Sequence, residues 1–173
     1  MDPRFMRQAW YCGLRCLRVI AHEYKKEGFN DDDILAYYPR WHQGILRGVS
    51  FPSTMMRVLK AMRLEPELVN VPSDAREHML EKWLAERRPV VLLATVEIAS
   101  WLIVFGHNPT NRNEVFLYGS AEDGENDYTV PMGNMRLPMC ELVKSWETRP
   151  YFRFLVPQAH LAIVPKVPLP GPL

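Results

Sequence analysis

Long hydrophobic runs are missing from this 173-residue sequence. Its longest apolar stretches, residues 90–94 and 101–105, fall far short of the ~20 residues that a membrane-spanning helix needs. The opening Met1-Asp2-Pro3-Arg4-Phe5 turns polar without the apolar segment of a secretory signal. Cysteine is scarce as well. Cys12, Cys16 and Cys140 are an odd number and too few for a disulfide framework. No Cys-x-x-Cys pair is present to hold zinc or to run thioredoxin-like redox chemistry. A reduced, cytoplasmic setting is the expectation. Charge of one sign is lacking too: 21 basic residues against 20 acidic leave a net charge of +1. Such a balance offers no global field to recruit nucleic acid or an anionic membrane. Arg15, Arg18 and Arg87-Arg88 are too sparse for a nucleic-acid groove.

What is there describes a soluble domain. Hydrophobic residues make up 47% of the chain and charged residues 24%, enough for one core without disulfides or metal. The compositional shift comes at the end, where Pro157, Pro165, Pro168, Pro170 and Pro172 punctuate the chain. Proline excludes a helix or a central strand from residue 157 onward. The expected organisation is therefore a domain over 1–156 and a Pro-rich tail over 157–173, extended from Pro165. Met6 is a candidate start behind a short leader of vector origin.

Helical signals precede strand signals. Cys12, Cys16, Val19, Ile20 and Tyr24 form a helical stripe within residues 12–27, with a stop at Gly28. Asn30 caps a short helix through Tyr38, which Pro39 ends. Ser50-Phe51-Pro52 opens a third helix with Met55, Leu59 and Met62 on one face, and Ser73 caps a fourth through Glu86. Residues 90–95 then read as a buried strand. Residues 101–106 and 114–118, separated by the turn-rich 107–111, read as an antiparallel hairpin. A short strand at 128–130, a helix over 137–146 and a last strand at 151–156 complete the pattern. A helical half packed on an antiparallel sheet is an α+β fold.

One segment carries a chemical signature. Gln8-Ala9-Trp10-Tyr11-Cys12-Gly13 places a thiol at the expected first turn of a long helix, with an amide side chain four residues earlier. A helix N-terminus lowers a thiol pKa, and a Gln side chain adds an oxyanion donor. The competing reading is a small buried hydrophobe on a helix that follows a Gln.

From Gln8 to about residue 156 the chain resembles the C39 peptidase family, papain-like domains that trim double-glycine leader peptides. The resemblance rests on an ordered series of segments. Gln8 and Cys12-Gly13-Leu14-Arg15-Cys16-Leu17 come first, and Gly48-Val49-Ser50 leads into the third helix. A strand, a helix and an Arg-Pro-Val-Val strand follow within 64–93, then Ser100-Trp101-Leu102-Ile103-Val104 ending in Gly106. Val115-Phe116-Leu117-Tyr118-Gly119-Ser120 closes the series. It implies a papain-like fold over 1–156, with Cys12 as nucleophile and Gln8 as oxyanion donor. Two departures stand out: Ser100 occupies the family's histidine position and Gly119 its aspartate position. A cysteine without an imidazole loses general acid–base help of about 10²–10⁴-fold. The resemblance thus implies a disarmed domain that binds a peptide or protein segment in the former cleft near Trp10, Tyr11 and Trp101. The alternative is an active cysteine peptidase or acyl-transfer enzyme that takes its base from elsewhere.

Replacement histidines are poorly placed. His107 lies about 20 Å along its strand from Ser100, and His22 about 15 Å along the helix from Cys12. His42 and His78 have no pattern linking them to Cys12, and His160 sits in the Pro-rich end. Asp31-Asp32-Asp33 reads as helix-start acid rather than a cation loop. The acidic residues Glu122, Asp123, Glu125 and Asp127 read as a solvated turn, with a weak calcium site as the alternative. No metal ligand set and no cofactor motif is expected.

Overall fold

A computed structural model describes residues 3–39, 50–95, 99–108, 110–119, 135–147 and 159–170. Helix α1 (Pro3–Glu23) buries Cys12, Cys16, Val19 and Ile20 along the expected stripe, and Tyr24 extends it. It starts well before Cys12 and stops before Gly28. Lys25 takes φ 50°, and the Lys26 N–H reaches back to the Ala21 carbonyl at 2.8 Å, a Schellman-type ending that comes one turn early.

Asn30 caps α2 (Asp31–Ala36) by accepting from the N–H groups of Asp32 and Asp33, while Asp33 accepts in return from the Asn30 N–H. The acidic triplet is thus a helix start. Arg18 reaches Asp31 at 2.9 Å and ties α2 to α1. Pro52 opens α3 (Pro52–Ala61), which buries Met55, Val58 and Leu59. After β1 (Pro66–Asn70), α4 (Arg76–Ala85) is capped by Ala75 rather than the expected Ser73. Residues 73–75 first make a turn, and its Ser73 carbonyl accepts from Arg76 Nε.

β2 (Val90–Thr95) matches its apolar run residue for residue. β3 (Ala99–Asn108) and β4 (Asn111–Gly119) form the expected antiparallel hairpin. It is longer than the apolar runs alone suggested, because the Asn108 side chain accepts from the Thr110 N–H and tightens the connection. β5 (Met135–Pro138) takes Leu137 opposite Val115, so the helix expected from 137 starts later, as α5 (Met139–Ser145) with Pro138 at its cap. The strands expected at 128–130 and 151–156 lie outside the described residues.

The chain end corrects the sequence reading. β6 (Leu161–Pro165) is a fully buried strand between β1 and β2, in a six-stranded antiparallel sheet of order β1-β6-β2-β3-β4-β5. The prolines bound this strand instead of interrupting it. Pro165 is its last residue, past the point where pairing with β2 ends, so its missing N–H costs no ladder bond. The Pro165 carbonyl accepts from Arg88 Nε at 2.8 Å. The sheet therefore runs past the boundary expected at 156. Beyond it, residues 166–170 lie on the body. Tyr24 donates its hydroxyl to the Val167 carbonyl, the Leu169 N–H bonds the Arg87 carbonyl, and Leu169 is buried.

Strand alternation divides the core in two. Val91, Leu93, Trp101, Ile103, Phe105, Leu161 and Ile163 pack under α1, α2 and α3. Val90, Leu92, Ala94, Leu102, Val104, Ala162 and Val164 pack under α4 and α5. The fold is α+β, an antiparallel sheet with helices on both faces. Among the described residues no helix is long and apolar enough to cross a membrane.

Candidate functional site

Cys12 sits in the middle of α1, not at its first turn. The dipole advantage expected of a helix N-terminus therefore does not reach it, since that effect fades within one turn. What it meets instead is β3. Cys12 Sγ accepts from the Trp101 N–H at 3.4 Å, and the Cys16 thiol donates to the Trp101 carbonyl at 3.3 Å. Two thiols one helical turn apart thus hold the backbone N–H and C=O of one residue, Trp101, and fix α1 on the sheet.

Trp101 is anchored a third time, its indole N–H donating to the Ser50 carbonyl at 2.9 Å. The Ser50 and Tyr38 hydroxyls lie 2.5 Å apart and share a buried hydrogen bond. Gly13 makes the arrangement possible. A Cβ there would stand 2.2 Å from Ser50 Cβ and 3.0 Å from the Trp101 ring. The Gly-Val-Ser segment was a sequence signal, and Ser50 proves to be the anchor within it; Gly48 and Val49 lie outside the described residues. Tyr38 carried no signal beyond its place at the end of the second helix.

Ser100 and Gly119 are not part of this cluster. Ser100 pairs with Ala94, and Gly119 pairs with Leu102. Both partners belong to the core under α4 and α5. A Cβ on Gly119 would meet Met135 and Leu102, on that same face. Cys12 belongs to the opposite face. Successive strand residues alternate, so a one-residue shift moves a side chain through the sheet. The immediate sequence neighbours of Ser100 and Gly119 that share the Cys12 face, along with Ile103 and Phe105 of β3, are Trp101 and Tyr118. Ser100 and Gly119, which the resemblance put at the histidine and aspartate positions, are therefore not brought together with Cys12. Gln8, Trp10 and Tyr11 belong to α1, but their side chains lie outside the described residues.

The electrostatics follow from burial. Desolvation pushes the Cys12 thiol up to about 11, and the N–H groups of Trp101 and Gly13 and the charge of Arg15 offset only part of this. Burial likewise raises the Tyr38 hydroxyl, and its bond with Ser50 counters it in part. The described histidines sit elsewhere. His22 is exposed beside Glu23, and His78 is exposed on α4. His107 contacts the Arg112 carbonyl, and His160 contacts the Val71 carbonyl. His42 and the acidic loop at 122–127 lie outside the described residues. Among the described residues no three potential metal ligands converge.

No protein-family model matches the chain, and no curated protein matches it.

Proposed function

We propose that this chain is a non-catalytic, papain-like domain of C39 type that works by binding a peptide or protein segment. One observation carries the reading. Cys12 is buried in mid-helix with its thiol pushed up to about 11, and the β3 residue against it is Trp101, which has no basic nitrogen. At pH 7 such a thiol is ionised in about one molecule in ten thousand, and the thiolate is the nucleophile. The partner in this reading docks on the surface of the domain and does not reach the buried thiol. Three free cysteines, one of them exposed, suit a reducing, cytoplasmic location.

Alkylation kinetics test this. In a Cys140→Ser background, which removes the exposed thiol, Cys12 is expected to resist iodoacetamide at neutral pH and to gain reactivity only above about pH 10. A thiol that titrates below pH 7, with turnover on amide or thioester substrates, would replace this reading with an active cysteine hydrolase.

A further inference from the structure

β1 ends the sheet, and its backbone shows which groups face outward. The Val71 N–H bonds the His160 carbonyl at 3.0 Å, and the Lys166 N–H is shared between the carbonyls of Leu64 at 3.1 Å and Glu65 at 3.3 Å. The pairs 71/160 and 65/166 continue the β1–β6 register, in which Glu67 faces Val164 and Val69 faces Ala162. Hydrogen-bonded pairs alternate along an antiparallel ladder. Residues 65, 67, 69 and 71 therefore spend their N–H and C=O groups on β6, while those of Pro66, Leu68 and Asn70 point away from the sheet. Among the described residues nothing pairs with this outer edge. Leu68, 45% exposed, is the large apolar side chain that they leave in solvent.

We propose that the β1 edge is a homodimerisation surface, on which β1 of a second copy adds antiparallel about a two-fold axis at Leu68. Five outward groups are available: the Pro66 carbonyl and the N–H and carbonyl of both Leu68 and Asn70. In this register Leu68 exchanges both of its bonds with its counterpart. Each Asn70 N–H reaches the other copy's Pro66 carbonyl. Only the Asn70 carbonyl, opposite a proline without N–H, stays with water. The strand is thus self-complementary in its donors and acceptors, and Pro66 sits where a missing N–H costs least.

Side chains and charge agree with a second copy as the occupant. Leu68 lies opposite Ile163, on the α1–α3 side of the sheet. The two-fold sets the two Leu68 side chains next to each other there, and both leave water. On the other face Glu67 falls opposite Val69, and Arg88 already pairs with Glu67, so no bare like charges meet. A chain of net charge +1 exerts little long-range repulsion on its own copy. The short strand and Pro66 are devices that blunt an edge against indiscriminate pairing. Here they leave one register open.

This inference is independent of whether Cys12 is chemically silent. Its test uses the full chain in the Cys140→Ser background. Leu68→Cys should give a disulfide-linked dimer on mild oxidation, since hydrogen-bonded antiparallel pairs hold their Cα atoms about 5.5 Å apart, within disulfide range. Asn70→Cys should not, because in this register it lies about 14 Å along the strand from its counterpart. Light scattering over a concentration series should show a monomer–dimer equilibrium that Leu68→Lys weakens at least about tenfold. Leu68→Pro should do the same while sparing the intrachain ladder, which does not use that N–H; unchanged circular dichroism would establish that both variants fold. Equal crosslinking at 68 and 70 would overturn the proposal, as would a dimer indifferent to both substitutions. A chain that stays monomeric while its edge takes an extended peptide of another protein would also overturn it.

Discussion

The two faces of the sheet are built from different materials. Under α4 and α5 the core is nearly all aliphatic, with Leu80, Leu84, Leu92, Val104, Leu117 and Leu142 around two tryptophans. Under α1 a polar thread runs through the apolar packing: two thiols, the Trp101 peptide and indole, and the hydroxyls of Ser50 and Tyr38. An aliphatic face is held by area and tolerates volume-conserving exchange. A buried polar thread demands geometry, since every member left unpaired costs about 1–3 kcal/mol. Specific arrangement is concentrated on the Cys12 face. Ser100 and Gly119 stand on the other one.

Exchanging a histidine between the faces gives the largest expected effect. Trp101→His opens a cavity and removes the bond to Ser50, for a loss of about 3–5 kcal/mol of unfolding free energy. It also places an imidazole on the Cys12 face, where the alkylation pKa should fall by more than a unit. Ser100→His buries an imidazole among aliphatic groups and should leave the thiol titration where it was. If Ser100→His lowers the Cys12 pKa instead, the division of the faces is wrong.

Glycine-to-alanine changes sharpen the same contrast. Gly13→Ala drives a Cβ against Ser50 Cβ, an atom with no freedom to swing away, and should cost about 2–3 kcal/mol in chemical denaturation. Gly119→Ala meets the flexible ends of Met135 and Leu102 at 2.8 and 3.0 Å and should cost about 1 kcal/mol or less. Ser50→Gly should restore part of the stability of Gly13→Ala and none of that of Gly119→Ala.

Alkaline pH probes the polar face alone. The folded Cys12 pKa lies above its ordinary value of 9.0, so the contribution of the neutral thiol is intact below about pH 9 and is lost as pH rises through about 11. Two units correspond to roughly 3 kcal/mol. Burial also raises the hydroxyls of Tyr24 and Tyr38, and both add to the loss at higher pH. Denaturation curves of wild type and Cys12→Ala should therefore converge between pH 9 and 11, the difference isolating the thiol. Parallel curves would mean that the thiol is not the titrating group.

The smallest effect belongs to one hydroxyl. Tyr38→Phe removes the hydroxyl that Ser50 Oγ meets at 2.5 Å and should lower stability by about 1 kcal/mol, with packing otherwise unchanged. A Leu→Met exchange at Leu84, on the aliphatic face, should fall within the same magnitude without involving any hydrogen bond.

Much of the fold was legible because its signals are local. The run at 90–95 is apolar throughout because both faces of β2 are covered. Asn30 capped its helix because its side chain needs only backbone two and three residues ahead. The stripe from Cys12 to Tyr24 placed α1 correctly against the core. Elsewhere local signals competed and misled. Ser73 is a better cap than Ala75 by residue type, yet its carbonyl serves Arg76 in a turn. Pro165 argued against a central strand, and only the extent of β2 shows that its missing N–H is not needed.

The candidate site shows the same division more sharply. Residue types and spacing by themselves marked Cys12 as singular, placed it on the buried stripe of a long helix, and showed no histidine patterned to serve it. They could not say on which side of the sheet Ser100 and Trp101 fall. A strand has a period of two residues, so a resemblance aligned one position away reads almost as well and inverts every side chain. Only the tertiary structure decided that Trp101 meets Cys12 and that Ser50 and Gly13 hold them together. Only there, too, does residue 161 enter the sheet between β1 and β2. These are contacts between residues 37 to 99 positions apart, made by hydrogen bonds and close packing that leave no periodic trace in either segment.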